Sequence, residues 1–147
     1  MTQEQVIIEP MTIRHYDEVM ALWKESENVG LSSADERDSI KSYLCRNPGM
    51  SFVARENNHI IGAALCGHDG RRGYLHHLAV AESSRKRGIG RELVEMCMRS
   101  LRDEGIRKCH LFVFHGNVRG KAFWKSIGWT LRLDIQGIVT IGEASGS

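Results

Sequence analysis

Apolar positions along the chain follow two rhythms, one of period two and one of period three to four. Val6 to Glu9 reads as a short first strand. After Thr12, the residues Ile13, Tyr16, Val19, Met20 and Trp23 fall at helical spacing. Ser33 and Glu36 have the spacing of a capping box and open a second helix. Ile40, Tyr43 and Leu44 are its apolar stripe, and Pro48-Gly49 ends it. Met50 to Arg55 and Ile60 to Leu65 flank Asn57-Asn58, which predicts a hairpin, since Asn tolerates the positive φ of a tight turn. A turn-rich loop, Gly67 to Gly73, precedes a strand over Tyr74 to Val80. The longest helical pattern runs from Gly88 to about Glu104, with Ile89, Leu93, Met96, Cys97 and Leu101 on one side. Gly105 supplies its left-handed cap. Lys108 to Phe114 is the next strand. Asn117 caps a short helix carrying Phe123 and Ile127, and Gly128 stops it. Thr130 to Ile135 predicts a final strand, with Ile138 to Ile141 as its extension. Strands and helices mixed in this order predict an α/β sheet with helices on its faces. The strand-helix-strand unit from Tyr74 to Phe114 favours parallel pairing there.

A length of 147 residues suits one domain with one core, expected to span 1–147 with a loose tail at 142–147. The formal net charge of +2 gives no reason to expect nucleic acid or a membrane as partner. No apolar run approaches the ~20 residues of a membrane span. The start, MTQEQVIIEP, lacks the basic head and apolar core of a signal peptide. Cys45, Cys66, Cys97 and Cys109 are scattered and form no CxxC pair, so they read as free thiols in a reducing cytoplasm. His110 and His115 have no partner at ligand spacing, and no metal is expected.

The chemistry concentrates in Leu78 to Arg91, LAVAESSRKRGIGR. A strand ends at Val80, a polar stretch follows, and Gly88 and Gly90 open the long helix. A helix start carries unpaired N–H groups and a partial positive charge. Glycine lets a bound group approach the backbone. Arg85, Lys86, Arg87 and Arg91 add formal charge. Together these features suit a pyrophosphate. No GK[ST] follows, and the third glycine of GxGxxG is missing, so neither common nucleotide fingerprint is met. Taken alone, the stretch also admits the lesser reading of a solvated basic loop whose glycines serve the turn.

Val80, Arg85, Gly88 and Gly90 reproduce V-x-x-x-x-R-x-x-G-x-G. This resembles the main motif of the GCN5-related N-acetyltransferases, the GNAT superfamily. NVRGKAFWKSIGW resembles that family's second segment, through Asn117, Gly120, Trp124, Gly128 and Trp129. The resemblance covers Phe52 to Leu133 and the first helices loosely. It implies a mixed central sheet with helices on both faces and two central parallel strands that splay apart. It implies acetyl-CoA as co-substrate, with no metal. On this match Leu78, Ala79 and Val80 meet the pantetheine arm. Arg85, Lys86, Arg87, Gly88, Ile89, Gly90 and Arg91 surround the pyrophosphate, while Asn117 and Trp124 approach from the other side.

The activity so implied is transfer of acetyl to a primary amine, either a small amine or a protein amino group, by direct attack. An amine of pKa near 10.4 must lose its proton, which costs about 4–5 kcal/mol at pH 7. The strand YLHHLAV offers His76 and His77, and strict alternation lets only one of them face a cleft. The stretch is similar to the H-x-H-x-L-A-V of arylalkylamine N-acetyltransferases, with His76 at the second histidine. His76 is therefore the expected base, and His77 is expected beneath a helix. Phe112 stands where many relatives that modify protein N-termini carry glutamate. Trp124 stands at the family's usual tyrosine acid. Those two departures leave a second reading open, a non-catalytic acetyl-CoA-binding module. Glu25, Glu27, Asp35, Glu36 and Asp38 form an acidic stretch, either a solvated helix face or a rim for cationic acceptors. A homodimer remains open.

Overall fold

The computed structural model describes residues 5–140. The expected tail at 142–147 and Ile141 lie outside them. Five strands form one sheet in chain order: β1 (Ile7–Pro10), β2 (Phe52–Glu56), β3 (His59–His68), β4 (Gly73–Val80) and β5 (Cys109–His110). The first three pairings are antiparallel and β4–β5 is parallel. The β2–β3 hairpin turns on Asn57 and Asn58, both at positive φ (54° and 63°).

Among the described residues four α-helices cover the two faces. On one face α3 (Ile89–Asp103) buries Ile89, Leu93, Cys97 and Leu101 against Phe52, Ala54, Ala64, Cys66 and Leu75. Gly62 lets Leu93 lie close on the sheet, since a Cβ there would sit 3.0 Å from Leu93 Cδ1. On the other face α1 (Tyr16–Glu25) and α2 (Arg37–Arg46) bury Val19, Trp23 and Ile40 against Val53, Ala63, Leu65 and Ala79. The fourth helix, α4 (Val118–Ser126), follows β5, and Asn117 Oδ1 caps it by accepting from the Gly120 N–H at 2.8 Å.

Three expectations are corrected. The capping box is Ser32 with Asp35 rather than Ser33 with Glu36. It closes a 3₁₀ turn at Ser33–Asp35 ahead of α2, because the short aspartate reaches back to the Ser32 N–H at 3.0 Å. The strand at Lys108 to Phe114 shrinks to Cys109–His110. With so short an edge there is no ladder to extend, and Thr130 to Ile135 forms no strand. Its alternating Leu131, Leu133 and Ile135 stay exposed.

Candidate active site

Strands β4 and β5 pair only at Gly73–Cys109 and Tyr74–His110, then diverge. Gly73 stands at the fork. A Cβ there would meet Leu101 Cδ1 at 2.6 Å, and the Gly73 N–H donates to the Lys108 carbonyl at 2.8 Å. Beyond the fork lies a cleft of about 630 Å³, walled by Leu75 to Val80 on one side and Leu111 to Phe114 on the other. No described strand pairs with β4 on that side past Tyr74, so its backbone edge is open to an extended ligand.

The glycine turn floors one end of the cleft. Lys86 (φ 64°) and Gly88 (φ 79°) are both left-handed, which folds the chain tightly into α3. Gly88 is the N-cap and brings no side chain. The first α-helical bond runs from the Glu92 N–H to the Gly88 carbonyl, so the N–H groups of Ile89, Gly90 and Arg91 lack helical partners. Arg85 Nε donates to the Val80 carbonyl at 3.2 Å and ties the turn to the end of β4. Arg85, Lys86, Gly88, Ile89, Gly90 and Arg91 all line the cleft. Arg87 does not. Its guanidinium makes a fork to Glu56 at 2.6 and 3.1 Å, and that hydrogen bond holds the Glu56 carboxyl below its ordinary range. Asn117 and Trp124 close the cleft from α4, Trp124 packing between Phe123 and Trp129.

The histidine wall differs from the expectation. Leu65 lies opposite His77, and Cys66 lies opposite Leu75, so His76 has no partner on β3. This bulge breaks the alternation. Leu75 packs with α3, and so do Leu78 and Val80. His77 touches Trp23 of α1 at 4.8 Å between ring centroids, and His76 touches Tyr43 of α2 at 5.6 Å. Both imidazoles thus lean toward the α1–α2 side, and both residues line the cleft, His76 exposed and the His77 side chain only 12% exposed. His76 also stacks on Tyr74 at 6.3 Å. Desolvation beside these rings, and then the neighbouring His77, push the His76 imidazole below its ordinary value.

Sequence reasoning missed a second wall. Ser26 to Gly30, after α1, reach the cleft beside Phe114, and a Cβ on Gly30 would come within 3.0 Å of Phe114 Cζ. No local pattern marks such an approach. Asp35, placed in an acidic stretch by sequence, is 5% exposed and bonded to His77 at 2.9 Å. His68, Asp69, Arg71 and Arg72 are absent from the cleft lining; Asp69 Oδ1 instead accepts the Arg71 and Arg72 N–H groups at 2.8 Å.

The sequence profile of the acetyltransferase (GNAT) family matches residues 16–129. The chain belongs to the GNAT family. Its forked strands and glycine turn are therefore those of a GNAT domain. A relative from Schizosaccharomyces pombe, N-alpha-acetyltransferase 30, is 29% identical over 87 residues. That match covers 56% of this chain and 58% of the relative. Among solved structures, the aminoglycoside acetyltransferase AAC(6')-Iy in complex with the bisubstrate analogue CoA-S-monomethyl-acetylneamine superposes with a TM-score of 0.76. It is 18% identical and covers 93% of this chain and 99% of its own. The NatC complex bound to Gag peptide and CoA gives a TM-score of 0.73 at 21% identity, over 84% of both chains. These likenesses establish the fold.

Proposed function

We propose that this GNAT domain is an N-acetyltransferase that moves acetyl from acetyl-CoA to a primary amine, a small amine or a protein amino group. The observation that carries the reading is the fork of β4 and β5 opening onto a basic helix start that has no side-chain cap. An open strand edge suits the amide groups of a pantetheine arm, and the bare N–H groups with Lys86 and Arg91 suit a pyrophosphate. Leu78, Ala79 and Val80 would hold the arm, and Arg85, Gly88, Ile89 and Gly90 complete the turn. Arg87 would contribute its backbone, since Glu56 holds its side chain. Asn117 and Trp124 would border the group from α4.

Acetyl-CoA supplies an activated thioester. The chain must supply a neutral amine beside it. His76 lines the cleft with its imidazole favoured in the neutral form, and the bulge sets His77 next to it. The base of the reaction is one of this pair. A thiol of pKa near 8.5 leaves as thiolate at a cost of only about 2 kcal/mol at pH 7, so Trp124 in place of tyrosine is compatible with turnover. The S. pombe relative is by name an N-alpha-acetyltransferase, and the two solved neighbours hold a peptide or an acetylated aminoglycoside analogue. All three names point to amine acceptors. The four free thiols support a cytoplasmic setting. Release of CoA thiol from acetyl-CoA, measured across a panel of peptides, polyamines and aminoglycosides, tests the reading. Tight CoA binding with no acetylated amine would favour the binding module instead.

A further inference from the structure

We infer that the proton acceptor of this site is His77, set in place by the buried carboxylate of Asp35. The inference rests on the acetyl-transfer reading and names which imidazole of the wall does the work.

The two residues stand 42 positions apart and meet at 2.9 Å, His77 Nε2 to Asp35 Oδ1. Asp35 is held from several sides. Its Oδ2 accepts the Ser32 N–H at 3.0 Å, and its backbone carbonyl accepts the Tyr16 hydroxyl at 2.7 Å. Burial alone would raise the Asp35 carboxyl. The hydrogen bond from His77 leads the effects that outweigh burial and hold the carboxyl below the ordinary range, so it is ionised near neutrality. An ionised carboxylate only accepts, so neutral His77 carries its hydrogen on Nε2. Trp23 stands edge-on to the ring and fixes its plane. Nδ1 then holds the free lone pair. No protein group among the described residues bonds to Nδ1, and it is not sealed in, while His77 itself lines the cleft. A carboxylate that fixes the tautomer of a histidine in the wall of a cleft is the arrangement of a positioned base. Among the described residues His76 has ring neighbours, and no polar partner there fixes its tautomer.

The step balances as follows. The acceptor ammonium gives one proton to His77 Nδ1, and the N–H electron pair stays on nitrogen. That pair forms the bond to the acetyl carbon while the C–S pair leaves with sulfur. The second amine proton neutralises the thiolate. His77 carries the first to water.

Asp35 acts through His77 and is a positioning residue. Asp35→Asn and His77→Gln are expected to lower kcat by about 10²–10⁴-fold. The KM for acetyl-CoA should stay within about threefold, and the double variant should be no slower than the worse single one. The loss in His77→Gln should exceed that in His76→Gln by at least tenfold. Nitrogen-15 NMR of the wild-type protein is expected to show neutral His77 protonated on Nε2 and bare on Nδ1. Turnover within twofold of wild type in folded Asp35→Asn and His77→Gln would overturn the assignment, as would a wild-type Nδ1–H tautomer, which can be read even where a variant fails to fold. Wild-type protein that acetylates no amine would remove the acetyl-transfer reading beneath it.

Discussion

Leu65 of β3 lies opposite His77 of β4, while the residue after it, Cys66, lies opposite Leu75. One residue of β4 is thereby left over, and it is His76. The surplus residue is what sets two adjacent imidazoles on one side of the sheet, and regular pleating forbids that. The side-by-side placement of the two imidazoles thus depends on a local irregularity in the β3–β4 register.

A first consequence concerns stability. His76 has a folded-state value depressed below 6.5, chiefly by desolvation and then by His77, against the opposing pull of Asp35. The unfolded chain therefore takes up this proton first as pH falls. The stabilisation is complete above about pH 6.5 and is lost as pH drops through the lower folded value. Urea unfolding across pH 7.5 to 5 should show wild-type stability declining toward acid, with a shallower decline in His76→Gln. Equal slopes would contradict the packing described. Asp35, also depressed, adds a separate loss below about pH 4.

The proposed pyrophosphate cradle predicts unequal roles for neighbouring arginines. Arg91 lines the cleft, whereas Arg87 is engaged with Glu56. Arg91→Ala should weaken acetyl-CoA binding about tenfold, the usual scale for one charge-assisted hydrogen bond. Arg87→Ala should weaken it several-fold less. Gly88 sits at φ 79°, so Gly88→Ala should cost about 1–2 kcal/mol of stability. Isothermal titration with CoA and thermal melts check the set.

The fork itself is testable at Gly73. A methyl group there would press on Leu101, which is buried against the sheet. Gly73→Ala should destabilise the fold by about 1–3 kcal/mol, as overpacking does. It should also raise the KM for acetyl-CoA, because the angle between β4 and β5 changes. A melting temperature within 1 °C of wild type would show that the fork does not depend on this close approach.

The proposed acceptor side of the cleft is testable at Gly30, which lies against Phe114 in the cleft lining. Gly30→Val would displace the Phe114 ring, whose Cζ already lies 3.0 Å from the position of a Cβ. The KM for the amine should rise several-fold while that for acetyl-CoA changes little. Steady-state kinetics with each substrate varied in turn distinguishes the two.

Much of this could be read from the chain because local chemistry dictates it. The Asn57-Asn58 hairpin, the apolar face of α3, and the glycines before and after that helix each follow from neighbouring residues alone. The same holds for Arg85, Gly88, Gly90 and Asn117, which line the cleft as the two motifs imply. What could not be read arises between distant segments. The bulge at His76 is a property of the β3–β4 register, and period-two reasoning assigns its histidines to opposite faces. Asp35 carries no signal for His77, because the contact spans 42 positions. The alternation in Thr130 to Ile135 promised a strand, but a strand also needs an edge to pair with, and β5 provides two residues.

The account is tested most directly by mass spectrometry of an amine panel incubated with acetyl-CoA and the protein, with CoA thiol release followed in parallel. It predicts a 42 Da gain on at least one primary amine, stoichiometric with released thiol, saturable in acetyl-CoA and strongly reduced by His77→Gln. CoA that binds in the fork while every amine remains unmodified above the uncatalysed rate would contradict it.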